Sequence, residues 1–205
     1  MKRRQRDYAL RYRALTASGP APWKRELLPN ARRSVLGRNG PISDQETEPR
    51  TARKVKISFP DSDVSAVADL LEEDSEMTCQ ALWDLLPLRL PAIHDIWSGH
   101  LVLAHLNNGI QLRPENVLTY IPVPGDIFYY YRPPNYVRGE PYGRAESAEL
   151  GFVYAEDTRP QGPRGPEAVN LFANISSGLA DFAKACEAMI QSGQREILIE
   201  KVEAV

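Results

Sequence analysis

The sequence predicts a mainly β protein, a closed β-barrel of about eight strands capped by two helices. Short runs rich in β-branched and aromatic residues alternate with turn-forming residues, and only two segments have the spacing of an amphipathic helix. The stretch from Gly165 to Val202 has the pattern strand, helix, strand. Many short strands with so few helices are typical of a barrel that carries helices as caps.

The closing unit shows the helical pattern most clearly. Its run from Leu179 to Ser192 is preceded by two serines and a glycine, and Gly193 follows as a C-cap. The residues from Arg195 to Val202 are rich in Ile, Leu and Val and form a segment short enough for a strand. The apolar side chains that recur at steps of three and four, and therefore share one helix face, are Leu179, Phe182, Cys186, Met189 and Ile190.

The ordered body is expected to begin with a β-hairpin. An alternating strand from Val55 to Phe59 is followed by the turn-forming residues 60 to 63. Val64 to Leu71 then forms the second strand, although its Ala and Leu content also suits a helix. A short helix is predicted from Thr78 to Leu86, with Thr78 as its N-cap and the next proline as its stop.

The middle of the chain supplies the remaining strands. Residues Ile93 to Leu106 are predicted to form two strands around a turn at Ser98-Gly99, and both faces of the second strand are largely apolar. This is expected of a barrel wall with something packed outside it. The further predicted elements are a turn at 107–109, a short strand near Leu118 to Ile121, a central strand from Ile127 to Tyr131, a strand from Glu149 to Tyr154 and a surface loop from Asp157 to Gly165.

The charge distribution divides the chain into two parts. Residues 1–54 hold 14 Lys and Arg against 5 Asp and Glu, whereas residues 55–205 hold 11 against 22. We therefore predict a basic N-terminal extension, mobile or loosely docked, followed by the barrel domain. Closely spaced arginines with tyrosines among them suit a nucleic-acid-binding tail, but docking on an acidic body explains the same charge, and nucleic acid is the less favoured partner.

The sequence also indicates a compartment. No apolar run is long enough to span a membrane, and the basic start is not followed by the apolar segment of a signal peptide. Cys79 and Cys186 are the two cysteines, and we expect two buried thiols and not a disulfide. A cytoplasmic protein is predicted, with its oligomeric state left open, a homodimer included.

The order of these elements resembles the cyclophilin fold. Cyclophilins carry a helix that begins with a Lys-Thr-like pair, which is similar to Met77-Thr78, and then a Phe-His-Arg signature that lies over Ile93-His94-Asp95. Small prokaryotic cyclophilin-like proteins of unknown function are more similar still. They share a Trp-x-Gly turn, seen here as Trp97-Ser98-Gly99, and a Gly-Asp-x-x-Tyr strand start at Gly125 to Tyr129. Their Pro-x-x-Ala-Val-Asn closing motif is similar to Gly165-Pro166-Glu167-Ala168-Val169-Asn170, which departs from it slightly.

The catalytic positions of cyclophilins do not carry over. Where the resemblance places the arginine and the glutamine that act on a prolyl amide, this chain holds Asp95 and Leu103. A carboxylate only accepts hydrogen bonds, so it cannot replace a guanidinium with five donors. The sequence therefore predicts that the cationic donor is lost and that proline isomerisation is a less favoured activity. An arginine beside a glutamine in the cleft would contradict this prediction.

The candidate site is a small-molecule pocket near the turn at residue 98. His94, Asp95 and His100 are the candidate catalytic residues, with a histidine for acid or base chemistry and a carboxylate to orient it. The candidate ligand-binding residues are Trp97, Tyr129, Tyr130, Glu149 and Asn170. Glu167 is a further residue that could contribute a carboxylate to the pocket. Each residue also has a purely structural explanation, such as an imidazole bonded to backbone or a solvated glutamate at a strand end.

Besides proline isomerisation, one other function stays open at this point. A non-catalytic module that binds peptides or proteins would use a shallow open groove in place of a pocket. The histidines His94, His100 and His105 lack any diagnostic metal-binding spacing, so neither a metal nor a cofactor is predicted.

Overall fold

The computed structural model describes residues 52–106, 110–115, 117–132, 147–162 and 165–202. Residues 1–51 of the basic extension and the turn predicted at 107–109 lie outside these residues, and both the extension and the turn stay predictions. No helix in these ranges is both long and apolar enough to cross a membrane.

The described chain forms a closed, antiparallel, eight-stranded β-barrel, as predicted. Its strands follow one another around the barrel in the order β2, β1, β11, β3, β4, β7, β6 and β10, and β10 pairs back onto β2. The barrel strands are β1 (Lys54–Ser58), β2 (Ser65–Leu70), β3 (Leu88–His94), β4 (Leu101–Leu106), β6 (Asp126–Arg132), β7 (Ser147–Val153), β10 (Val169–Ser177) and β11 (Arg195–Lys201). Closure leaves no long unpaired edge.

Shorter strands and a 3₁₀ helix lie beside the barrel strands. The two-residue strand β5 (Leu118–Thr119) extends β10, where a short strand was predicted. The predicted surface loop 157–165 contains part of a small hairpin, in which β8 (Gln161–Gly162) pairs with β9 (Gly165–Pro166). A 3₁₀ helix from Ile96 to Ser98 forms the turn between β3 and β4.

Alternation along the strands sorts side chains between the inside and the outside of the barrel. On β4, Val102, Ala104 and Leu106 belong to the main core, whereas Leu101 packs in a second apolar cluster on the outer face with Leu103 at its edge. This confirms the predicted wall with two apolar faces. The second cluster forms the floor of a cleft on the outer face of the barrel.

The two predicted helices are both present. Helix α2 (Leu179–Ser192) has the predicted bounds, and Phe182, Cys186 and Met189 are its buried residues. Its Phe182 ring stacks on Phe59, with ring centroids 5.3 Å apart, and contacts Phe152 at 6.1 Å. The three buried residues of the predicted apolar face close the barrel core on one side, whereas Ile190, which was predicted to share that face, is 47% exposed.

Helix α1 (Glu76–Leu85) begins earlier than predicted, and Thr78 is not its N-cap. Ser75 is the N-cap, but its hydroxyl donates to the carbonyl oxygen of Leu171 and does not cap the helix. Instead the Glu115 carboxylate accepts from the backbone N–H groups of Met77 and Thr78, at 2.9 and 2.8 Å. The Glu115 side chain, which is distant in sequence, thus satisfies two free backbone N–H groups at the start of this helix.

The prediction of two buried thiols is confirmed. Cys79 and Cys186 are both free and buried. Burial raises the pKa of the Cys79 thiol to about 12, and it raises the pKa of Cys186 as well. Neither sulfur carries thiolate character at neutral pH, so both act as apolar core residues.

Candidate functional site

An open cleft lies on the outer face of the barrel, where the second apolar cluster meets the segment after β7. We call it the outer cleft. Its floor is apolar and consists of Leu101, Leu103, Phe128 and Val169; its polar end holds Tyr130, Arg132 and Glu149; its wall consists of Asp95, Ser98, Pro160, Gln161 and Glu167. A second space, inside the barrel below Trp83, has only apolar side chains around it. The outer cleft therefore has the chemistry of a site.

The floor depends on a close approach between two neighbouring strands. Phe128 of β6 lies opposite Gly151 of β7, and a Cβ atom at Gly151 would lie 2.0 Å from Cζ of the Phe128 ring. The ring therefore lies flat over the glycine. A larger residue at position 151 would push the ring into the cleft.

A carboxylate and a guanidinium define the polar end. The Glu149 side chain is 7% exposed and the Arg132 side chain 11%. Arg132 Nη2 lies 3.5 Å from Glu149 Oε2, and Nδ1 of the half-exposed His105 lies 3.6 Å from Glu149 Oε1. The Arg132 guanidinium also lies 5.1 Å from the ring centroid of Tyr130. The Arg132 guanidinium and the His105 imidazole thus lie on either side of the buried Glu149 carboxylate.

Strand register brings this group together. Glu149 pairs with Tyr130 on one side and with His105 on the other, so the three residues form a row across β6, β7 and β4. Arg132 lies two residues beyond Tyr130 on the same face. Cross-strand neighbours of this kind have Cβ atoms about 5 Å apart, which places their polar atoms within reach of one another.

The wall is anchored by one buried serine. Ser98 Oγ donates to Asp95 Oδ2 at 2.5 Å and accepts from the backbone N–H of Gln161 at 3.0 Å. The Ser98 carbonyl accepts from the N–H of Arg159. Asp95 thus caps the 3₁₀ helix and ties the segment after β7 to the barrel, and its carboxylate does not orient a histidine by hydrogen bonding.

The structure does not assemble the three candidate catalytic residues. His94 lies away from the outer cleft, where its Nε2 is 2.7 Å from the Tyr154 hydroxyl oxygen. His100 is exposed, its Nδ1 lies 2.7 Å from the Glu156 carbonyl oxygen, and its ring meets the edge of Tyr154. Asp95 alone lines the cleft. Residues adjacent in sequence are separated because strand and turn point their side chains in different directions.

The candidate ligand-binding residues are also divided. Tyr130 and Glu149 line the outer cleft, and Trp97 is 85% exposed beside its wall. Tyr129 points inward and donates its hydroxyl to the Ile110 carbonyl, because it follows Phe128 by one residue on the strand. Asn170 is buried; its Nδ2 donates to Thr78 Oγ1 and its Oδ1 accepts from the Glu115 N–H, so it braces α1.

The expectation of a cleft without a cationic donor is wrong. Arg132 lies in the outer cleft, and Gln161 lies in its wall. The resemblance to cyclophilins concerns Asp95, which follows β3, and Leu103 on β4, whereas the arginine comes from β6. The alternation of side chains along β6 could have revealed this arginine, because Arg132 lies on the same strand face as Phe128 and Tyr130. Within the described ranges, no group of three or more histidine, cysteine or acidic side chains is placed to hold a metal.

The His94 environment predicts a pH effect on stability. Burial lowers the pKa of His94 from its ordinary 6.5, with the His100 charge acting in the same direction and the Asp95 and Glu187 charges opposing it. Between the lowered value and 6.5 the unfolded chain binds more protons than the folded one, so the free energy of unfolding decreases as the pH falls through this window. We expect His94→Gln to flatten that slope in urea unfolding measured between pH 7.5 and 5.5.

Two features of Tyr154 bear on this test. Burial raises the pKa of its phenol to about 12, so Tyr154 stays neutral throughout the window and contributes no slope of its own. A His94→Gln side chain can still bond to the hydroxyl. Parallel pH slopes for the wild-type protein and the variant would contradict the assignment.

Fold and site together define a closed antiparallel β-barrel protein with a polar, partly buried cleft on its outer face. The chain belongs to the family described as "Protein of unknown function (DUF3830)", whose model matches residues 57–200. No curated protein matches the chain.

Two solved structures show similarity at low sequence identity. A structure of McbB in complex with tryptophan has a TM-score of 0.53 and 15% identity, over 74% of this chain. The matched part is 46% of the McbB chain, so this chain spans less than half the length of that relative. The hypothetical protein AF2241 from Archaeoglobus fulgidus has a TM-score of 0.47 and 16% identity, over 76% of this chain and 99% of its own. The McbB similarity concerns the fold.

Proposed function

We propose that this protein binds or acts on a small organic molecule in the outer cleft. The observation that carries the proposal is the Glu149 carboxylate, 7% exposed, held beside Arg132 at one end of an apolar floor. An ionisable side chain is rarely buried without a structural or chemical role. A concave surface with an apolar floor and a few convergent polar groups is the usual form of a ligand site.

Glu149 is the residue best placed for proton transfer in this cleft. Its two oxygens face Arg132 and His105, so the carboxylate has a defined orientation, and the half-exposed His105 imidazole is a second side chain of a kind used in acid–base catalysis. In this proposal Asp95 shapes the wall, while His94 and His100 act elsewhere.

Similarity to other proteins supports the proposal in outline. The strand order and the motifs around Trp97 and Asn170 resemble cyclophilin-like proteins. McbB, whose structure contains tryptophan, shares the fold with this chain at a TM-score of 0.53. A barrel of this kind is thus compatible with a small organic ligand. We also propose a cytoplasmic location, which two free thiols support.

Thermal-shift screening of a metabolite library tests the proposal. Compounds that raise the melting temperature of the wild-type protein are titrated against Glu149→Gln, which keeps the shape of the side chain and removes its charge. We expect at least a tenfold loss of affinity, because a hydrogen bond to a charged group contributes about 1.5–3 kcal/mol.

Glu196→Gln is the matched control. Glu196 is an exposed glutamate paired with Arg89 on the barrel surface, and it does not line the outer cleft. Ligand affinity should be unchanged in this variant. The proposal fails if every compound that stabilises the wild-type protein stabilises Glu149→Gln equally.

One observation favours a second function, a peptide- or protein-binding module. Ile93, Ile96 and Trp97 are exposed apolar side chains beside the cleft wall. Trp97→Ala would weaken peptide binding but leave small-molecule affinity unchanged. Proline isomerisation remains the less favoured activity, and a coupled proline-peptide assay on the wild-type protein and Arg132→Lys decides it, because Arg132 is the donor that such a reaction needs.

A further inference from the structure

The outer cleft presents a hydrogen-bond donor and an acceptor side by side. Arg132 and Glu149 are both about nine-tenths buried, and their nearest nitrogen and oxygen atoms are 3.5 Å apart. That separation lies at the limit of a hydrogen bond and leaves donor capacity on the guanidinium. Among the described residues, Arg132 Nε has no hydrogen-bond partner. A buried guanidinium with so few acceptors is costly until a ligand supplies one.

From this pair we infer the polar group of the ligand: a neutral head with an acceptor next to a donor, as in a primary carboxamide. Its carbonyl accepts from the guanidinium of Arg132, and its N–H donates to the carboxylate of Glu149. The inference rests on the proposed function, because it takes the outer cleft as the binding site.

The charges around the cleft disfavour the two obvious alternatives. A carboxylate head would satisfy Arg132 but would lie beside the Glu149 carboxylate, whose side chain is 7% exposed. Like charges repel more strongly beside a buried group than in bulk water. An ammonium head would suit the acidic side chains but offers no acceptor to Arg132 and lies against its positive charge. A carboxamide satisfies both partners and adds no charge.

The floor of the outer cleft determines which apolar group the ligand carries. The apolar floor beside this pair, formed by Leu101, Leu103, Phe128 and Val169, favours a ligand that carries an apolar group next to its polar head. Phe128 is 1% exposed, so the apolar contacts open to a ligand come from the partly buried Leu103 and Tyr130. We therefore expect an aryl or cycloalkyl carboxamide.

Three probes of matched shape test the inference: 2-phenylacetamide, phenylacetate and 2-phenylethylamine. Affinities are measured by titration calorimetry or ligand-observed NMR on the full chain at pH 7.5. We expect the amide to bind at least tenfold more tightly than either charged probe. Glu149→Gln should reduce amide binding and improve phenylacetate binding, because the repelling charge is gone, and Arg132→Met should weaken both. Glu196→Gln should change neither.

The outcomes separate this inference from the proposed function. Tighter binding of phenylacetate or 2-phenylethylamine through Glu149 overturns the carboxamide head and leaves the cleft as a ligand site. So does a library compound that needs Glu149 but has no adjacent donor and acceptor. Failure of all three probes at millimolar concentration, alongside such a library compound, also overturns the inference. If no ligand of any kind depends on Glu149, the proposed function itself fails.

Discussion

Replacing Phe182 by alanine is expected to lower the free energy of unfolding by about 3–5 kcal/mol, the usual cost of removing a large aromatic core residue. Phe182 is fully buried, stacks on Phe59 and contacts Phe152. These contacts fasten α2 to the interior of the barrel, so the cavity left by the substitution lies where strands and helix meet. Urea unfolding followed by circular dichroism measures the change.

The control lies on the same helix. Ile190 is 47% exposed, and Ile190→Ala should change stability by no more than about 0.5 kcal/mol. If Phe182→Ala lowered the free energy of unfolding no more than Ile190→Ala does, α2 would not be part of the core.

The features that the sequence predicts well are those controlled by local periodicity. The spacing of Phe182, Cys186 and Met189 predicts the buried face of α2, and the alternation from Leu101 to Leu106 predicts which side chains point into the barrel. Each pattern repeats within one element, so no knowledge of its neighbours is needed.

The features that the sequence does not predict are those set by strand register. Glu149 meets Tyr130 and His105 because three strands are paired with a particular offset, and the segments that connect them are long. The helix start shows the same limit. Ser75 and Thr78 are both good N-cap residues, but the choice between them depends on Glu115, which approaches from a distant segment.

Proximity in sequence misled the prediction of the catalytic group. His94, Asp95 and His100 lie within seven positions, but a strand end, a 3₁₀ helix and an exposed turn aim them at three surroundings. Asp95 lies in the outer cleft, whereas His94 pairs with Tyr154. Only two of the eight candidate residues, Tyr130 and Glu149, belong to the polar end of the cleft that the structure reveals.

Gly151→Ala is expected to affect stability and ligand binding together. The new Cβ would lie 2.0 Å from Cζ of Phe128, so the ring has to leave its position and enter the outer cleft. Overpacking of this kind costs about 1–3 kcal/mol in unfolding free energy. A displaced ring also occupies the volume that a ligand needs, so compounds that bind the wild-type protein should lose at least tenfold in affinity. Urea unfolding and titration calorimetry measure the two effects.

A double-mutant cycle with Phe128→Leu isolates the contact. Phe128→Leu alone removes part of the floor and destabilises the protein, but it also removes the ring atoms that oppose a Cβ at position 151. The combination should therefore be more stable than the two single effects predict, with a coupling of about 0.5–3 kcal/mol, the range measured for residues in contact. Strict additivity would mean that the ring relaxes elsewhere and that Gly151 does not hold the floor of the cleft in place.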